Sequence, residues 1–356
     1  MPCLSVATVD LNLTSGNRRL KHSRSIERVK PTALALPRIS TILALVAVVM
    51  SAPAAAQTGC TRLAADFRDG RVFVTIPLAA GRSWSLFTDT GGGGSIVTRA
   101  AAVRAGLSTK RPAAELAGEL GSEAMIAAPP PSAKGITVPM PGPLLVLPSA
   151  FPLPNWPEAI DGVLGQNWFA GKRWTWDYPA GTLSISCTPQ GVRVPIDLPP
   201  ADAPPPAKQF PRVTVTVDGE PVAMLLDTGA TTWLTGEALS TLADARPAIR
   251  AASMATASRI AGWRARHPEW RVIEHAQQGT GARMIEVRDV RIAGMSVGPV
   301  WFTERPDAAF TGMMSKMMAG PVEGALGANA LRDLRVTVDY PRSSAWFERV
   351  SGGQSR

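Results

Sequence analysis

The sequence predicts an all-β protein made of two similar halves, each a β-barrel-like unit. Two observations carry this. Apolar runs are short and strand-like, closely punctuated by turn residues, and leave room for few helices. The chain also repeats itself. Residues 84–98 read WSLFTDTGGGGSIVT and residues 222–236 read VAMLLDTGATTWLTG. Residues 161–179 read DGVLGQNWFAGKRWTWDYP and residues 323–341 read EGALGANALRDLRVTVDYP. In each pair an apolar strand runs into Asp-Thr-Gly, an apolar-Leu-Gly-x-Asn segment follows, and Asp-Tyr-Pro comes last. The markers are offset by 138 at Asp89 and Asp227 but by 162 at Gly165 and Gly327, so the second half gains 24 residues between them. That gain is expected to include residues 260–281, where Arg264, Arg266, His267, Trp270, Arg271 and His275 cluster.

Taken in order, residues 71–76 and 84–87 read as a hairpin across Ala79-Ala80-Gly81. Residues 213–217 and 222–226 read as its counterpart across Asp218-Gly219, a strong turn signal. Short helices are expected after each Asp-Thr-Gly, at about 98–106 and 236–244, and another after each Leu-Gly-x-Asn. A strand is expected at 182–186. Residues 198–206, LPPADAPPP, are too proline-dense for a helix or a central strand and read as a semi-rigid linker. It separates halves at about 61–197 and 207–350.

The formal charge of +9 is concentrated at the N-terminus, where residues 1–56 hold seven Lys/Arg against Asp10 and Glu27, leaving about +4 on the rest. No basic stripe with interleaved aromatics occurs, which excludes nucleic acid as the expected partner. A basic region, the apolar run ISTILALVAVVM at 39–50, Pro53, and small residues at Ala54 and Ala56 read as a cleavable export signal over residues 1–56. Export places the protein in the periplasm or outside the cell, with no membrane association after cleavage. Cys60 would serve as a lipoprotein acceptor only in a poor context, because Gln57 stands where an aliphatic residue belongs. Once Cys3 leaves with the leader, Cys60 and Cys187 remain as a candidate disulfide in an oxidising compartment.

Three His and three Cys are too few for a zinc ribbon or an iron–sulfur cluster. His267 and His275 lack a third ligand nearby, so no metal and no other cofactor is expected. Met313, Met314, Met317 and Met318 read as core or cleft lining. Gly91 to Gly94 is not followed by Gly-Lys-Ser/Thr and carries no nucleotide reading. Asp177 and Asp339 read as turn elements closing a strand.

A single Asp-Thr-Gly is explained by a turn after a strand. Two copies at matching places in a repeat point to paired carboxylates. Two such groups held close in a partly desolvated site cannot both ionise cheaply, so one retains a proton. The charged member can then deprotonate a water while the protonated one polarises a carbonyl. Glycine at the third position allows close backbone approach, and each threonine hydroxyl can reach across the interface between halves.

With these residues in view the chain resembles the aspartic peptidases, whose motif is Asp-Thr-Gly with a later apolar-apolar-Gly segment. Repetition within one chain is similar to the bilobal pepsin-like arrangement, and the short halves with Leu-Gly-x-Asn and Asp-Tyr-Pro look more like duplicated bacterial retropepsin-like domains. The resemblance spans about residues 71–347, with specificity confined to the four marker segments. It implies two homologous acid-protease β-barrel lobes related by a pseudo-twofold axis, with the active-site cleft between them. It puts catalysis on Asp89 and Asp227, supported by Thr90, Gly91, Thr228 and Gly229, with a peptide or protein as substrate. Gly92 stands where the family has Ser or Ala, and the two tyrosines, Tyr178 and Tyr340, lie outside any flap, which would fall in residues 115–138. The expected activity is that of a monomeric endopeptidase favouring apolar side chains. Two alternatives stay open: a peptide-binding protein that keeps the cleft without turnover, and a homodimer that pairs halves between chains. A glycosidase built on the carboxylate pair gains no support from two identical motif contexts.

Overall fold

The structure, a computed structural model, describes residues 59–111, 125–128, 144–147, 160–200, 203 and 209–350. The expected leader at 1–56, most of the expected flap at 115–138 and part of the linker at 198–206 lie outside the described residues. The described chain is mostly β-sheet with few helices, and no helix among the described residues is long and apolar enough to cross a membrane.

Each half is organised around one long hairpin. In the first half Arg71–Pro77 pairs antiparallel with Ser83–Thr88, and in the second Arg212–Val217 pairs with Glu220–Asp227. The second turn places Asp218 and Gly219 at φ 53° and 77°, the left-handed conformation that an Asp-Gly hairpin turn needs. Beside the second strand of each hairpin lies a short parallel strand, Gly162–Leu164 or Gly324–Gly327, buried throughout. From there the order of pairing recurs: Ile96–Thr98, Leu144–Leu147, Met125–Ala127 and Thr109–Lys110 in the first half; Ser253–Thr256, Val300–Arg305, Met284–Val287 and Val272–Ile273 in the second. Each sheet runs from one edge strand to another. The β-barrel lobes that the resemblance implies are therefore corrected, among the described residues, to open sheets, because the short strands Thr109–Lys110 and Val272–Ile273 end the order without meeting the hairpin at its other side.

The pairing also relocates the extra residues of the second half. Ser95 precedes Ile96–Thr98 by one residue, just as Ser253 opens its counterpart strand, and the two serines bond equivalent asparagines, Asn167 and Asn329, at 2.9 and 2.7 Å. Asp89 and Ser95 are six residues apart, whereas Asp227 and Ser253 are 26 apart. Twenty of the 24 additional residues thus lie within 231–252, not in 260–281. They form the hairpin Thr231–Trp233 with Ile249–Ala251 and the helix Gly236–Leu242. The helix Ala257–Arg266 at the start of the expected insert is instead the longer counterpart of Arg99–Arg104; both are capped by a threonine, Thr98 or Thr256, whose hydroxyl accepts the N–H three residues on.

The six-stranded sheet contains strands of both halves. Its two middle strands, Arg173–Asp177 and Leu334–Asp339, run antiparallel with Thr175 opposite Thr337, their hydroxyls 2.9 Å apart. Around this centre Arg173 bonds Asp339 at 2.7 Å and Arg335 bonds Asp177 at 2.8 Å. The same two carboxylates accept N–H groups of the turns that follow, from Ala180 and Arg342. Asp177 and Asp339 are turn elements, as their place before Tyr-Pro indicates, and they also join the halves. In the first half Trp168, Phe169, Trp174 and Trp176 fill the core beside this sheet; the matching positions in the second are Ala330, Leu331, Val336 and Val338. Cys60 and Cys187 are joined in a disulfide beside the pairing of Thr61–Arg62 with Thr182–Ile185.

Candidate active site

Asp89 follows the strand Ser83–Thr88, and its N–H is held by Leu164 O at 2.9 Å. Asp227 ends the strand Glu220–Asp227 and stands in parallel register with Gly327. The apolar-Leu-Gly segments therefore lie directly beside the two Asp-bearing strands. Each aspartate accepts the N–H of the glycine two residues on: Gly91 to Asp89 Oδ1 and Gly229 to Asp227 Oδ1, both 2.9 Å.

The glycines serve the opposite half. A Cβ at Gly91 would stand 2.5 Å from Asp227 Oδ2, and one at Gly229 would overlap the Asp89 carboxyl group. Neither glycine has a positive φ. Their requirement is space for the other loop's carboxylate, and this interleaving brings Asp89 and Asp227 face to face.

The threonines lock the interleaved loops. Thr90 Oγ1 donates to Leu226 O at 2.8 Å and accepts the N–H of Thr228 at 2.9 Å. The reciprocal arrangement is looser, with Thr90 N–H to Thr228 Oγ1 at 3.4 Å and the two hydroxyls 3.3 Å apart. Thr88 adds a bond from its hydroxyl to Val72 O at 3.0 Å, tying the first loop to its hairpin.

Both carboxyl groups are buried, Asp89 at 4% exposure and Asp227 at 7%. Burial, then the charge of Asp227 and a hydrogen bond to it, hold the Asp89 pKa well above the ordinary carboxylate value. Burial also raises Asp227, against the hydrogen bond from Asp89 and the N–H groups of Gly229, Ala230 and Gly91. The pair therefore retains a proton where isolated carboxyls would have lost it. Burial and then the charge on Asp227 push the Tyr178 hydroxyl up as well. A proton donor and a carboxylate facing each other can activate water and polarise a carbonyl together.

Several residues outside the predicted set support this geometry. Ser253 Oγ accepts the N–H of Gly327 at 3.0 Å while it bonds Asn329, and Asn329 donates to Trp301 O at 2.9 Å. Gln166 donates its N–H to Gly92 O and its side-chain amide to Gln209 O at 3.0 Å. The sequence signals were the asparagine two residues beyond each Leu-Gly and the repeated Arg-x-Thr-x-Asp-Tyr-Pro.

Other singled-out residues lie elsewhere. His267 bonds Asp218 at 2.7 Å and stacks on Trp270 with ring centres 4.1 Å apart, while His275 occupies a turn at φ 50°. Met314 and Met318 are buried with Phe210, Leu225 and Ala230, behind the Asp227 loop. Among the described residues no group of three His, Cys, Asp or Glu is arranged to hold a metal ion.

No family model matches the chain, and no curated protein matches it. Among solved structures it is similar to an aspartic proteinase from Irpex lacteus, at 10% identity and a TM-score of 0.46, over 82% of this chain and 98% of that one.

Proposed function

We propose that the chain is an aspartic-type endopeptidase in which two homologous lobes, related by a pseudo-twofold axis, bind a peptide in the cleft between them. The observation that carries this reading is the pair of buried carboxyl groups facing each other on identical Asp-Thr-Gly loops. Water held between the carboxyls gives a proton to Asp227 as its oxygen attacks the peptide carbonyl carbon. Asp89 gives its proton to the carbonyl oxygen, so the tetrahedral intermediate is a neutral diol. When the diol collapses, the C–N bond breaks, the leaving nitrogen takes the proton from Asp227, and a diol proton returns to Asp89. One water has been added across the amide and the pair again holds one proton. The groups that react are side chains of this chain and water. The reading includes export under the leader at 1–56 and work as a monomer in the periplasm or outside the cell.

The test is mass-spectrometric cleavage profiling of a diverse peptide mixture from acidic to neutral pH, comparing the wild type with Asp89→Asn and Asp227→Asn. Cuts made by the wild type and lost in both variants support the peptidase. A specific feature favours a second reading, a peptide-binding protein without turnover: the first loop is a run of glycines, and Gly92 offers no side chain to the Asp89 carboxylate beside it. Tight peptide binding with no cuts at any pH would select it and reject hydrolysis.

A further inference from the structure

We infer that the Asp69–Gly70 turn of the first half is a positioning element for the second aspartate loop, acting through the backbone of Ala251 and Ala252. This rests on the peptidase reading of the site and adds a determinant to it. Two successive N–H groups make the connection. That of Ala251 donates to Asp69 O at 3.0 Å, and that of Ala252 donates to Ala230 O at 2.9 Å. Ala230 is the third residue after Asp227, and its own N–H returns to Asp227 O at 3.4 Å. A turn of one half is thus coupled by adjoining peptide groups to the loop that carries the other half's carboxylate.

The geometry leaves this coupling little slack. Gly70 has φ +83°, and a Cβ there would stand 2.8 Å from Ala251 Cβ and 3.4 Å from Ala328 Cβ. Ala328 follows Gly327, the partner of Asp227 in the parallel ladder, and Ala252 O lies so close to Gly327 that a Cβ would overlap it. The strand Ile249–Ala251 is fixed from its own side by Arg250. That buried guanidinium bonds Asp244 at 2.5 Å, Pro247 O at 2.7 Å and Arg246 O at 2.8 Å. Arg246 in turn reaches the Asp69 carboxylate at 3.6 Å. Among the described residues the first half shows no such relay. Residues 92–94, all glycine, occupy the place where the second half makes its 20-residue excursion, and beyond the threonine bonds the Asp89 loop reaches the second half through Gln166, which holds Gly92 O and donates to Gln209 O. The excursion therefore gives the Asp227 loop a rigid attachment to the opposite half.

Gly70→Ala tests the relay by pressing on it, and Ala251→Gly tests it by removing the contact. The proton affinity of the carboxyl pair is read without substrate, from the pH dependence of thermal unfolding of each variant against the same variant carrying Asp89→Asn. Cleavage is read as kcat and KM separately. Expected for Gly70→Ala is a fall in kcat of roughly tenfold or more with KM near wild type, and a shift of at least about half a unit in the pH at which the pair loses its proton. Ala251→Gly is expected to shift that pH by less. The double variant returns it toward wild type while stability stays lowered, because alanine at φ +83° is strained with or without space. An unshifted pH midpoint in folded Ala251→Gly, or a double variant no closer to wild type than Gly70→Ala, overturns the relay. Should Gly70→Ala not fold, Ala251→Gly alone decides. If the wild type cuts no peptide, the peptidase reading fails, while the pH midpoints still report on the relay.

Discussion

The two halves share an order of strands and an Asp-Thr-Gly loop, yet they are built from different material. The first half packs four large aromatics where the second has Ala330, Leu331, Val336 and Val338. It passes from Asp89 to Ser95 through four glycines, where the second leaves for a hairpin and a helix before reaching Ser253. What the halves keep in common is what close approach and backbone bonding demand: glycines against carboxylates, threonines across the junction, a small residue beneath each loop. What differs is volume filling, which many combinations of side chains satisfy.

The largest effect that would break this comparison is a difference between its two most similar parts. Gly91→Ala and Gly229→Ala each drive a methyl into the opposite carboxylate, and both are expected to lower kcat/KM at least about a hundredfold. Peptide-cleavage kinetics in which one variant is mild would show that the loops do not interleave alike. Next in size is the contrast between the cores. Trp174→Val should cost about 3 kcal/mol or more in urea unfolding, and Val336→Ala about 2 kcal/mol, because the larger side chain leaves the larger cavity. The threonines sharpen the comparison on a finer scale. Thr90→Val removes two short bonds and should cost about 2 kcal/mol, whereas Thr228→Val removes only long ones and should cost less than about 1 kcal/mol; equal losses in the same assay would mean a symmetric lock.

The smallest change at any one pH is the slope that the carboxyl pair imposes on stability. Its folded pKa values lie above the ordinary value, so the folded state holds a proton that the unfolded chain releases. That contribution is fully present below the ordinary carboxylate pKa and is lost as pH rises through the raised value. Wild-type protein is therefore expected to lose stability relative to Asp89→Asn as pH climbs from about 4 toward neutrality. Thermal unfolding followed across that range would contradict this if the difference stayed flat.

The hairpins, the pair of aspartates and the glycine-bearing strands beside them were readable in the sequence because each depends on local turn chemistry or on a motif whose spacing backbone geometry fixes. The cross-pairs Arg173–Asp339 and Arg335–Asp177 join residues 166 and 158 apart. Nothing local marks the register that brings them together, although the repeated Arg-x-Thr-x-Asp held the information. The site of the excursion was hidden for another reason. Two markers bound a length difference without dividing it, and the division became visible only when Ser95 and Ser253 met their asparagines. The open sheets likewise follow from strand order, which alternation of apolar and polar residues does not specify.

The central ladder of the six-stranded sheet reads the same in both directions. Reversed about Thr175, the segment Arg173 to Asp177 sets its own arginine against its own aspartate, just as it meets Arg335 and Asp339 in the intact chain. The pairing rule is palindromic, so either half carries the whole of it. A chain cut between its halves would expose an unpaired strand edge bearing the instructions for recruiting a second copy of itself. Covalent linkage of the two halves thus does more than shorten a search: it makes two different partners find each other where two identical ones would also fit.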